Sequence, residues 1–169
     1  SGPFIRASTA HELGRRVRQT LADAEGQVLV DLTSLQEARS TDIEVLRAAM
    51  GLDGRGALQH LRSRPGCADL TVVLPPGQES DPLLGLQGVA AREGFQSGRP
   101  VADVLAVDAQ IARLASDWGI EDAPGLGAAG GLALVFKALG GRLASGFDLC
   151  REASGLEDTV TRADLVVVG

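Results

Sequence analysis

The stretch QVLVDL, at residues 27–32, decides the fold class because it is a short apolar run rich in β-branched residues. A run of this kind is too short for a helix and is typical of a buried strand. The stretches LTVVL at 70–74 and ADLVVVG at 163–169 have the same character. They predict two further strands, the first of which is stopped by the turn residues at 75–77.

Helical segments separate these strands. Thr9 and Thr41 are each followed by Glu at the third position, which is capping-box spacing, and the two boxes predict helices that end near Gly26 and Gly51. Further helices are predicted within 53–64, from Pro100, over 128–139 and over 147–154. Residues 77–100 predict a long loop, and weak strands within 86–96 or 140–146 remain an open alternative. Strands alternating with helices predict an α/β fold with a layered, mainly parallel sheet and flanking helices.

Length and composition predict one globular domain over residues 1–169. The chain is 44% hydrophobic and 22% charged, which is typical of a folded protein. Its net charge is −6, Lys137 is its single lysine, and 3% of its residues are aromatic, so it is a poor candidate for nucleic-acid binding. It has no run of about 18 apolar residues and no signal-peptide pattern at its start, which predicts neither membrane insertion nor secretion.

The cysteines and histidines predict no metal site. Cys67 and Cys150 are too few for a disulfide scaffold and are predicted to be free, buried thiols of a cytoplasmic protein. His11 and His60 lie far from both cysteines in the sequence and show no ligand spacing.

The most distinctive motif is GLGAAGG at 125–131, which matches the string G-x-G-x-x-G. A dinucleotide site requires a buried strand directly before this string, and residues 117–124 do not form one; a phosphate-binding Walker loop requires a Lys-Ser or Lys-Thr pair that is absent here. Two alternatives remain. The turn either presents backbone N–H groups at a helix start to an anion, or its glycines allow close packing of the helix on its neighbours.

Two carboxylates are further candidates. Asp42 follows the first predicted strand, in the zone where α/β sheets collect ligands, and has the chemistry to accept a proton from a substrate hydroxyl or to bind Mg²⁺. Its alternative role is a first-turn carboxylate of the helix capped by Thr41. Asp81 precedes Pro82, which also fits a structural turn.

Several of these segments together resemble the two-domain glycerate kinases of bacteria. PGLGAAGGL at 124–132 resembles that family's P-G-x-G-A-A-G-G-L, ASGFDL at 144–149 its x-x-G-I-D-L, ADLVVVG at 163–169 its A-D-L-V-I-T-G, and DPLLG at 81–85 its N-P-L-L-G. The order and rough spacing agree over nearly the whole chain. The resemblance implies a glycerate-kinase-like lobe and ATP-dependent phosphorylation of glycerate, with Mg²⁺ required.

The resemblance also implies roles for individual residues. Asp42 corresponds to an acidic residue of the family and is the candidate base or substrate ligand. Asp81 and Gln96 are implied in the pocket, and five residues of the turn are implied in binding phosphate or substrate: Gly125, Gly127, Ala128, Gly130 and Gly131.

The chain departs from the family pattern in three places. The family's glycine-rich G-G-S-A-T-N-D-G-G loop is replaced by the segment at 31–43, the lysine of its G-P-Q-K-G segment is Ser97 here, and its N-terminal lobe has no counterpart. Arg92 or Arg99 would be a non-conservative substitute for that lysine. The chain is therefore identified as a diverged or truncated member that resembles the inserted lobe of a larger fold. Two hypotheses follow: a kinase lobe that is inactive alone, or a non-catalytic module that binds a small anion.

Overall fold

The computed structural model describes residues 2–163 and residue 165. The strand predicted over 163–169 lies almost wholly outside these residues.

The core of the fold is one parallel sheet of four strands, in the order β1–β2–β3–β4. The strands are β1 (Phe4–Ile5), β2 (Val28–Asp31), β3 (Leu70–Leu74) and β4 (Arg142–Ser145). Val30 lies opposite Val72, and Val72 lies opposite Leu143. The predicted α/β class is confirmed. β1 is not predicted from the sequence, because two residues are too few to show alternation. β4 lies within 140–146, where the sequence leaves a weak strand as an open alternative.

Eight helices are described around the sheet. They are α1 (Ala10–Asp23), α2 (Asp42–Ala49), α3 (Ala57–Arg62), α4 (Val89–Ser97), α5 (Val101–Asp117), α6 (Leu132–Ala138), α7 (Gly146–Ser154) and α8 (Leu156–Arg162). None of the described helices has both the length and the apolar character needed to cross a bilayer.

The main hydrophobic core lies on one face of the sheet. Side chains alternate along a strand, so Ile5, Val30 and Val72 share this face, and each is at most 4% exposed. α2 packs against both α1 and α6, α1 contacts β1, and α6 contacts β3 and β4. The opposite face is more open, since Phe4 is 54% exposed.

The predicted loop over 77–100 is wrong at residues 89–97, which form α4. The glycines suggested irregular structure, but Gly94 has a packing role inside the helix. A Cβ atom at Gly94 would lie 2.2 Å from Cγ2 of Val104, so the missing side chain lets α4 lie close against α5.

The helix caps agree with the sequence in one case and differ in another. Thr9 caps α1, since its hydroxyl accepts a hydrogen bond from the Glu12 N–H at 3.2 Å. Thr41 makes no such bond at the start of α2; instead Oδ2 of Asp42 accepts one from the Arg39 N–H at 2.9 Å. The capping bond predicted for Thr41 is therefore absent, and Asp42 fastens the turn before the helix instead.

The two thiols lie in different environments. Cys67 is buried and its Sγ donates to the Leu61 carbonyl at 3.3 Å, and burial raises the pKa of its thiol. Cys150 is exposed on α7, so the prediction of a second buried cysteine is wrong. α7 lies at the edge of the sheet and contributes no buried residue to the core.

Candidate functional site

Two adjacent cavities lie where the loops that follow β1 and β2 meet, at the carboxyl ends of the strands. This is the edge at which α/β sheets bind ligands. One cavity, of about 830 Å³, is lined by Ser8, Thr9, Thr41 and Asp42, and the other, of about 360 Å³, by Glu93, Gln96, Ser97 and Arg99. Glu37 and Arg39 line both cavities, and we call the two cavities together the strand-end site.

Asp42 is half-buried at the first position of α2 and lines the larger cavity. Its Oδ2 accepts the hydrogen bond from the Arg39 N–H. The residue therefore holds the loop that carries Arg39 and at the same time lines the cavity. Both roles considered for Asp42 are compatible with this position.

Gln96 reaches the smaller cavity because α4 is fastened to the loop before α2. Oε1 of Glu93 accepts a hydrogen bond from the Ser40 N–H, and Oε2 accepts one from the Ser40 hydroxyl, each at 2.7 Å. Gln96 lies about one turn further along the same helix and is exposed. Asp42 and Gln96 thus flank Arg39 from two different helices.

Asp81 is placed elsewhere, beside the glycine-rich turn. Its Oδ2 lies 2.8 Å from Nη1 of Arg92, and Nη2 of the same arginine donates to the Gly127 carbonyl at 3.2 Å. The Asp81 carbonyl accepts hydrogen bonds from the N–H groups of Gly125 and Gly127, each at 3.0 Å. Asp81 therefore ties its own loop to the turn, and its carboxylate is paired with a cation.

The N–H groups of the glycine-rich turn bind other parts of the protein. Besides those of Gly125 and Gly127, the Ala128 N–H donates to the Gly125 carbonyl at 3.1 Å, and the Ala129 N–H donates to Oε1 of Gln78 at 2.8 Å. These are the donors that an anion cradle would use. The geometry therefore favours the packing alternative for this part of the turn.

The glycines of the turn allow backbone to approach backbone. A Cβ atom at Gly127 would lie 2.1 Å from the Pro82 carbonyl oxygen, and one at Gly130 would lie 2.7 Å from the Ala38 carbonyl oxygen. At Gly131 it would lie 3.0 Å from the side chain of Ile43. The turn therefore packs closely against the loop that carries Arg39 into the strand-end site.

Three charged residues of the strand-end site, Glu37, Arg39 and Glu93, are not identified from the sequence. Arg39 lies in a polar segment with no periodicity, so no pattern distinguishes it from other exposed arginines. Glu93 lies in the segment interpreted as a loop. The signal that could have found it is the helical spacing of Val89, Ala90 and Glu93 on the face that meets the core.

The charges of the strand-end site suit a small carboxylate or phosphate. Arg39 and Arg99 line the smaller cavity, where their guanidinium groups are the donors for such a ligand. Of the carboxylates at the two cavities, Glu93 is occupied by its two bonds to Ser40, whereas Glu37 and Asp42 also line the larger cavity. Among the described residues, no group of three His, Cys, Asp or Glu side chains is arranged to hold a metal ion.

The chain is similar to one known protein family and to several known proteins. Residues 54–169 match the Glycerate kinase family. The chain is 32% identical over 126 residues to an uncharacterized protein of Mycobacterium bovis, covering 69% of this chain and 33% of that protein. It is 32% identical over 97 residues to glycerate 2-kinase of Escherichia coli, covering 53% of this chain and 26% of that protein. The chain spans about a third or less of the length of these relatives. No solved structure matches the chain significantly.

Proposed function

Because the chain belongs to the glycerate kinase family, we propose that its strand-end site binds glycerate within an enzyme that transfers the γ-phosphoryl group of ATP to glycerate. The observation that supports this proposal is that Arg39, Asp42, Gln96 and Arg99 all line the strand-end site. Gln96 and Arg99 lie within residues 54–169, which match the family, whereas Arg39 and Asp42 precede that range. We also propose that the 169 residues form one domain of a longer cytoplasmic protein.

The substrate's carboxylate is assigned to the two arginines. A guanidinium group presents two parallel N–H donors that match the two oxygens of a carboxylate. Arg39, Arg99 and Gln96 line the same cavity, and the amide of Gln96 is a further donor. This arrangement leaves the hydroxyl groups of glycerate directed toward the larger cavity and Asp42.

Asp42 is assigned the role of accepting a proton. In the transfer, a glycerate hydroxyl oxygen forms a bond to the γ-phosphorus of Mg²⁺–ATP, the bond from that phosphorus to the bridging oxygen breaks, and ADP leaves. The hydroxyl proton passes to the carboxylate of Asp42, whose Oδ2 is held by the Arg39 N–H. Phosphoryl transfer depends chiefly on this kind of positioning and on charge neutralisation.

The chain alone is proposed to bind without turnover. The carboxylate of Asp81 is neutralised by Arg92 at 2.8 Å, and Ser97 stands where the family pattern has a lysine. The hydroxyl of Ser97 donates to the Glu93 carbonyl at 2.7 Å and provides no positive charge. The described site therefore has the groups to hold a substrate acid and few groups to neutralise a transferring phosphoryl group.

A titration with D-glycerate tests the binding proposal. We expect saturable binding by calorimetry, weakened at least tenfold by Arg39→Gln, because a charge-assisted hydrogen bond contributes about 1.5–3 kcal/mol. Arg55→Gln is the matched control, since Arg55 is exposed and lines neither cavity. With Mg²⁺–ATP and D-glycerate together, we expect no phosphoglycerate above background. If phosphoglycerate formed and Asp42→Ala abolished its formation, the proposal that the chain alone is inactive would be contradicted.

A non-catalytic module that binds a small anion is the second candidate. It is favoured by the two arginines that line the smaller cavity, where the carboxylate of Glu93 is already engaged by Ser40. Inorganic phosphate separates the two candidates. Binding of phosphate without binding of D-glycerate, again lost in Arg39→Gln, would replace the glycerate proposal with this one.

A further inference from the structure

We propose that a third cavity, separate from the strand-end site, binds a small phosphate-bearing anion. It lies between α1, the end of α2 and α3, has a volume of about 450 Å³, and is lined by Arg15, Arg18, Gln19, His60 and Arg64 among others. We call it the arginine cavity. It shares no lining residue with the two cavities of the strand-end site.

The cationic side chains converge from two elements. Arg15, Arg18, Gln19 and Ala22 recur at helical spacing on the exposed face of α1. His60 lies in α3 and Arg64 follows that helix, with Nη2 of Arg64 3.2 Å from Nε2 of His60. The secondary structure thus gathers three guanidinium groups and an imidazole around one opening.

This positive charge has no internal counter-charge. No Asp or Glu lines the cavity, and within the described part of the chain none of its three arginines forms an ion pair with a carboxylate. The chain as a whole carries a net charge of −6. A local excess of cations on an acidic protein attracts an anion from solution. Within the described part of the chain the guanidinium groups of Arg15 and Arg18 make no hydrogen bond, so their donors are available to a ligand.

The floor and the walls give the cavity a defined shape. Met50 and Leu61 lie beneath it and are 2% and 7% exposed. At its edge, Gly51 has a φ of +70°, and a Cβ atom there would lie 3.1 Å from Cζ of Arg18. Gly51 therefore both ends α2 in a left-handed conformation and leaves room for the Arg18 guanidinium beside the cavity.

The chemistry favours a phosphate group over a single carboxylate. Guanidinium forks bind phosphate oxygens bidentately, and three such forks match a group with several charged oxygens. A volume of about 450 Å³ lies within the roughly 300–1,000 Å³ range of small-molecule sites. The ligand class is therefore a small phosphate ester or polyphosphate, bound at a distance from the strand-end site.

A titration with inorganic pyrophosphate at low salt tests this proposal. We expect saturable binding that the double variant Arg15→Gln/Arg18→Gln weakens at least tenfold, because two charged donors are lost. Arg113→Gln is the matched control, since Arg113 is exposed on α5 and lines none of the cavities described above. The control is expected to bind as tightly as the unchanged protein.

Two further variants, Arg15→Gln and Arg39→Gln, test whether the anion binds in the arginine cavity. Arg18 also lies beside Gly51 at the end of α2, so Arg18→Gln would lower stability as well as anion binding. Arg15 has no such second role, and Arg15→Gln is expected to weaken pyrophosphate binding by itself. Pyrophosphate binding that survives Arg15→Gln and disappears in Arg39→Gln would place the anion in the strand-end site and overturn the proposal. Citrate binding more tightly than pyrophosphate would overturn the choice of phosphate. Failure of the arginine cavity leaves D-glycerate binding at the strand-end site unaffected.

Discussion

Replacing Gly127 by alanine is expected to lower the free energy of unfolding by about 3 kcal/mol or more. The new Cβ would lie 2.1 Å from the Pro82 carbonyl oxygen and 3.1 Å from the Asp81 carbonyl oxygen, and both are backbone atoms that cannot rotate away. Relief requires the two loops to separate, which breaks the hydrogen bonds between Asp81 and the glycine-rich turn. A denaturant titration measures the loss, and thermal unfolding should shift down by about 6–12 °C.

Gly54→Ala provides the control for this substitution. Gly54 has no positive φ, and the nearest atom to its added Cβ would be that of Ala57 at 3.9 Å. We expect its stability to change by about 0.5 kcal/mol or less. If Gly127→Ala unfolded at the same denaturant concentration as Gly54→Ala, the close approach of the turn to residues 81–82 would be refuted.

Phe136→Ala is expected to cost about 3–5 kcal/mol of stability. Phe136 is fully buried on α6, in the main core beneath the sheet. Removing its ring leaves a cavity that the surrounding leucines and valines fill only in part, so the loss includes both the transfer free energy and the lost packing. Calorimetric unfolding of the purified variant measures the effect.

Phe147→Ala is the matched comparison, because it makes the same chemical change on α7 at a side chain that is 70% exposed. We expect a change of about 0.5 kcal/mol or less. Similar losses in the two variants would show that α6 is not the centre of the core.

The central strands and most helices could be predicted from the sequence because their signals are local. β2 and β3 are apolar runs bounded by turn residues, and Thr9 caps α1 through the residue three positions on. α4 could not be recognised in the same way, since Gly94 lowers helix propensity and is favoured only by contact with Val104. Tertiary packing decided that segment.

The candidate site was predictable by residue type but not by arrangement. Asp42 and Gln96 were identified separately, and what brings them to either side of Arg39 is the bond pair between Glu93 and Ser40, two residues far apart in the chain. The resemblance implies Asp81 in the same pocket, whereas in the structure Asp81 pairs with Arg92, a side chain of α4. Such contacts leave no periodic pattern in a sequence.

The most direct test of the strand-end site is to follow the backbone amide signals of the isotope-labelled chain by NMR while D-glycerate is added. We predict that the largest shifts occur at Arg39, Asp42, Gln96 and Arg99, that they saturate together, and that Arg39→Gln suppresses them. The signals of Arg15 and His60, in the arginine cavity, should remain in place. Shifts centred on the arginine cavity, or no shifts at high glycerate concentration, would contradict the assignment of glycerate to this edge of the sheet.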